Sequence, residues 1–165
     1  MRLVLLASVL LGLGAGSVAA ADYAPGQPLQ WFSGPRADFA LRCRGCHGFA
    51  GEGTPGHVPR LDGFVGLFTQ VPAGRDYLMR VPGVARASLD DARLAATLNW
   101  MLAIYGEGQL APDFAPYTAA EVGAARRQVL RDRKTVRAEL LRAMRERGLI
   151  GPKEDGLGSS PEQRG

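Results

Sequence analysis

Cys43-Arg44-Gly45-Cys46-His47 decides how this chain is read, because it holds the only two cysteines in 165 residues. Four chemistries compete for a C-x-x-C-H spacing. A thioredoxin-like redox pair needs a surrounding βαβ pattern, and the neighbours here are rich in Gly and Pro instead. A structural zinc site takes four protein ligands as a rule. It would have to recruit His57, and a second paired cluster is absent from the sequence. A plain disulfide would close a very short loop and leave His47 without a role. Haem attachment uses all three side chains. Each thiol adds to one haem vinyl group to form a thioether, and His47 then reaches the iron from one face as the proximal ligand. The expectation is one covalently bound haem c on Cys43 and Cys46, with His47 as an axial ligand.

The start of the chain points to a compartment where such chemistry occurs. Arg2 precedes the apolar run Leu3–Leu11, and small residues close the segment at Val18-Ala19-Ala20-Ala21. That is the pattern of a secretory signal peptide, with cleavage near Ala20 or Ala21. The run is too short, and too rich in Gly and Ala, to span a bilayer comfortably. No later segment is apolar enough to span, so the mature protein is expected to be soluble and periplasmic. Its net charge of +4 is unevenly spread. Residues 22–118 carry eight Arg against nine acidic residues, whereas 119–153 carry ten Lys and Arg against four. Nucleic acid is not an expected partner for an exported protein. The basic segment could instead favour an acidic protein or membrane surface.

Outward from the motif the chain reads as helices and loops. Ser33 to Leu41 looks like a helix start, with Ser33 as N-cap and Pro35 in the first turn. Phe39 lies four residues before Cys43 on the same helix face. The Gly- and Pro-rich run from Gly48 to Gly63 implies a tight loop. Asp90 to Tyr105 reads as a helix with Ser88 as N-cap, Gly106 as C-cap, and Leu94, Leu98, Met101 and Tyr105 along one apolar face.

With these features the chain resembles the class I (mono-haem) cytochrome c family over about residues 34–105. The resemblance implies that Phe39 packs against the last helix, meeting Trp100 and Leu94. Pro59-Arg60-Leu61-Asp62-Gly63 is similar to the family's Gly-Pro-x-Leu-x-Gly segment, with Val58 in place of the first Gly. In the family that proline's carbonyl accepts a hydrogen bond from the second nitrogen of the proximal histidine, a role that falls here to Pro59. The family's electron carriers also place a methionine on the distal face, in a loop before the last helix. Met79 is the candidate, with Met101, His57 or no protein ligand as alternatives.

The expected fold class is all-α: a small cytochrome c haem domain with a C-terminal helical extension. The expected divisions are a signal peptide at 1–21, a lead-in at 22–33, the haem domain at 34–106, a linker and basic amphipathic helical extension at 107–150, and a disordered tail at 151–165. Thr118-Ala119-Ala120-Glu121 reads as a capping box opening the extension. Its stripe of Val122, Val129, Val136, Leu140 and Met144 is expected to pack on the haem domain. The resemblance implies an electron carrier rather than an enzyme, passing single electrons between redox partners: a dehydrogenase and an oxidase or another cytochrome. The alternative is a haem protein with an open sixth position that binds small ligands or reduces peroxide.

Overall fold

A computed structural model describes residues 33–157. The expected signal peptide, nearly all of the lead-in, and residues 158–165 lie outside the described residues. Pro35 opens α1 (Pro35–Arg42), where a missing N–H costs nothing in the first turn. The N-cap position is taken by Gly34 and not Ser33, since the backbone there adopts φ 92°, which favours glycine. Cys43 joins α1 to the single turn α2 (Arg44–His47). A 3-10 helix (Val65–Gln70), α3 (Gly74–Arg80) and the single turn α4 (Pro82–Ala85) follow. Among the described residues only an isolated bridge between Thr54 and Val58 departs from the all-α architecture.

The long helix α5 (Asp91–Tyr105) is capped by Asp90, whose side chain accepts from the Arg93 N–H at 2.8 Å. Ser88, expected in that role, stands two residues too early for the bond. Gly106 ends the helix as expected, its N–H bonded to the Leu102 carbonyl at 2.9 Å. A Cβ on Gly106 would come within 3.0 Å of the Gly66 Cα, so glycine is required by close packing against the 3-10 helix. Helices α1 and α5 cross through aromatic contact. The Phe39 ring centroid lies 5.4 Å from that of Trp100 and 5.3 Å from that of Tyr105, within the range of favourable tilted pairs. Beside them the buried Asp38 accepts from Arg93 Nε at 3.1 Å. That bond ties the two helices by a charge pair.

The extension forms two helices instead of one stretch. In α6 (Ala119–Arg126), Thr118 accepts from the Glu121 N–H at 3.2 Å, which is half of the expected capping box. The Glu121 carboxylate turns to Arg75 instead. Asp132 then caps α7 (Arg133–Glu146), and between the helices the Leu130 N–H donates to the Arg80 carbonyl at 3.0 Å. Tyr117, Val122, Leu140, Leu141, Met144 and Ile150 are buried in one continuous core with Phe39, Phe64 and Leu102. The extension therefore packs on the preceding helices, as expected from its apolar stripe, and shares their core. Residues 151–157, expected to be disordered, run along the loop after the motif. The Arg60 N–H donates to the Gly156 carbonyl at 2.8 Å, the Gly56 N–H donates to the Leu157 carbonyl at 3.1 Å, and Arg60 pairs with Glu154 at 2.6 Å. A polar, Gly-rich composition hides an ordered backbone pairing. No helix among the described residues is long and apolar enough to cross a membrane.

Candidate haem-attachment site

The C-x-x-C-H segment is one turn of helix, with the N–H groups of Cys46 and His47 bonded to the Cys43 carbonyl at 3.2 and 3.0 Å. Residues three and four apart share a helix face, so Cys43, Cys46 and His47 present their side chains on one side. Cys43 is half-buried and Cys46 exposed. Burial pushes the Cys43 thiol above its ordinary pKa, and the negative charge of Asp38 adds to the effect.

His47 Nδ1 lies 3.0 Å from the Pro59 carbonyl oxygen. A carbonyl can only accept, so Nδ1 carries the proton and Nε2 keeps a free lone pair. Burial moves the His47 pKa below its ordinary value, and the bond to Pro59 opposes that shift. The ring is thus held neutral, the form that can coordinate a metal. Two thiols one helical turn apart beside an imidazole with its outer nitrogen free form a donor set that fits haem c.

The loop from Gly48 to Gly63 positions Pro59. The Gly53 N–H donates to the His47 carbonyl at 2.9 Å, and Thr54 and Val58 exchange backbone bonds of 2.9 and 2.8 Å. Gly53 has φ 70°, and a Cβ there would come within 2.8 Å of the Pro59 carbonyl oxygen. The Tyr105 hydroxyl donates to the Phe49 carbonyl at 3.0 Å, tying the loop to α5. Sequence reasoning misses Gly53 and the Arg60–Glu154 pair. The density of glycines is the only signal for the first, and Glu154 lies too far along the chain to be read from pattern.

The remaining candidates sit elsewhere. His57 is exposed at the turn between Thr54 and Val58. Met101 is buried within α5. Met79 is buried in α3 and lines a recess with Arg75, Asp76, Glu121, Ala124, Ala125 and Gln128. The structure therefore brings Cys43, Cys46, His47 and Pro59 together, while Met79 lies in the seam between α3 and α6.

No family model matches the chain. Among curated proteins it is similar to a cytochrome c-552 of Thermus thermophilus, 33% identical in an alignment 122 residues long that covers 59% of this chain and 93% of that one. A second cytochrome c-552, from a particular strain of the same organism, is likewise 33% identical over 122 residues, with 59% of this chain and 82% of that one covered. Together with the helical fold, the C-x-x-C-H turn and the histidine–proline bond, these matches show that the chain belongs to the class I c-type cytochrome family.

Proposed function

We propose that the protein carries single electrons on one haem c, attached through Cys43 and Cys46 and ligated on its proximal face by His47. The observation that carries this reading is the bond from His47 Nδ1 to the Pro59 carbonyl. It fixes the tautomer, aims Nε2 outward and makes the ring a stronger donor, as partners of metal-ligating histidines do. Bound there, the haem would supply an iron that changes oxidation state by one electron. The chain's own task is to hold that ligand still, so that little rearrangement accompanies each transfer.

The signal-like N-terminus supports export to the periplasm, where redox partner proteins such as a dehydrogenase, an oxidase or another cytochrome would meet it. The name shared by the relatives, cytochrome c-552, supports the carrier role. Met79 is the sixth ligand expected from the sequence, but its packing against α6 does not support that assignment. Covalent attachment is tested by Cys43→Ala and Cys46→Ala, expressed with haem-attachment machinery. Each should sharply reduce the haem that survives denaturation. Undiminished covalent haem in both variants would remove this pair from the site.

A further inference from the structure

We infer that the chain leaves the sixth position of the haem iron free and that a small neutral exogenous ligand, of the carbon monoxide or nitric oxide class, binds there. The inference rests on the haem reading above and departs from its expected ligand set.

The placement of Met79 is the first ground. Arg75, Asp76 and Met79, at i, i+1 and i+4 of α3, line the recess shared with Glu121, Ala124, Ala125 and Gln128 of the α6 region. Neighbouring contacts fix that face: Arg75 Nε donates to Glu121 at 2.6 Å and Arg80 Nε donates to the Gln128 carbonyl at 2.7 Å. Residues two apart on a helix are about 200° apart around its axis. Tyr77 thus occupies the side of α3 opposite Met79, where it is stacked on Phe68. To turn Met79 out of this recess, α3 would have to rotate out of the Arg75–Glu121 ion pair and the Arg80–Gln128 bond.

The connection from α3 to α5 is the second ground. It is only residues 81–90, Val-Pro-Gly-Val-Ala-Arg-Ala-Ser-Leu-Asp, without Met, His, Cys, Lys or Tyr. It is also pinned. Arg126 of α6 donates to the carbonyls of Ala85 at 3.0 Å, Leu89 at 2.8 Å and Ala87 at 2.5 Å, and pairs with Asp91 at 3.1 Å. Its half-buried side chains, Val81, Val84 and Ala87, are apolar and favour an uncharged ligand over an anion. A third observation agrees with so short a connection. The match to the Thermus thermophilus relative runs over 122 residues but occupies 59% of this chain, about 97 of its 165 residues. This chain is therefore shorter than the relative across the shared span. Apart from Met1, the other methionines are Met101, on the apolar face of α5, and Met144, fully buried in α7.

The test uses full-length holoprotein whose haem survives denaturation. The ferric form should be high-spin, without the near-infrared sulfur-to-iron charge-transfer band. The ferrous form should bind carbon monoxide in a saturable titration that shifts the Soret band. Met79→Leu should leave the spectrum and the titration unchanged. A low-spin wild-type spectrum with the sulfur band, and no carbon monoxide binding, would overturn the inference without any variant. Loss of that band in Met79→Leu or Met101→Leu would name the ligand. A low-spin nitrogen-ligated spectrum abolished by His57→Ala would overturn it in favour of His57. A preparation without covalent haem would instead sink the reading on which the inference rests.

Discussion

At the scale of single residues, the chemistry of the site is local and the support for it is not. Cys43, Cys46 and His47 are legible because one helical turn contains them all. Pro59 is legible only through the family resemblance, since nothing local ties residue 59 to residue 47; the 3.0 Å bond between them is a product of the intervening loop. Gly53 makes that loop possible. Gly53→Ala and Gly56→Ala both place a side chain at positive φ, at a cost of about 1–2 kcal/mol each. Only at Gly53 would the new Cβ meet the Val58 and Pro59 backbone, whereas Gly56 faces open space. Gly53→Ala should therefore destabilise clearly more than Gly56→Ala and weaken the His47 Nδ1–H signal by NMR. Equal losses and an unchanged imidazole resonance would show that the loop does not constrain Pro59.

At the scale of elements, periodicity finds the helices and misplaces some of their ends. Ser88 and Asp90 are both good N-cap residues, and only the Asp90 carboxylate meets the Arg93 N–H. The stripe from Val122 to Met144 reads as one helical stretch, yet the chain breaks at 127–132 to reach the Arg80 carbonyl from Leu130. Such a break is fixed by a partner on another element and leaves no periodic signal. The crossing of α1 and α5 is readable, because Phe39 and Trp100 are large apolar residues at core positions of two helices. Phe39→Ala should cost roughly 3–5 kcal/mol by leaving a cavity between Trp100 and Tyr105. Leu41→Ala, at a site 69% exposed two residues away, should cost far less. Denaturant midpoints compare them, and similar losses would mean that the crossing does not organise the fold.

At the scale of the whole molecule, the basic C-terminal segment has a different meaning from the one its composition suggests. Arg126, Arg137 and Arg145 look like solvated charges in sequence. In the fold, Arg126 binds three carbonyls of the α4–α5 connection, while Arg137 and Arg145 hold the backbone of 154–155. No pattern rule reveals this, because the acceptors are backbone groups on distant or irregular segments. Arg75 and Glu121 lock α3 to α6 in the same way. The hydrogen bonds from Arg75 hold the Glu121 pKa below its ordinary value, and burial opposes them. A lowered folded pKa stabilises the protein at pH above the ordinary glutamate value of about 4.3, and that contribution is lost as pH falls towards the lowered one. Wild-type stability should thus drop more steeply through that window than that of Glu121→Gln, as followed by thermal melts at stepped pH. Parallel curves would deny the pair a role. All of this architecture is read as closing over a haem covalently held by Cys43 and Cys46. Intact-mass measurement of the purified, denatured protein tests that claim most directly. A mature chain heavier by one haem is expected, with Cys43 and Cys46 both blocked to thiol reagents. A mass equal to the bare chain, with two reactive thiols or a disulfide between them, would contradict it.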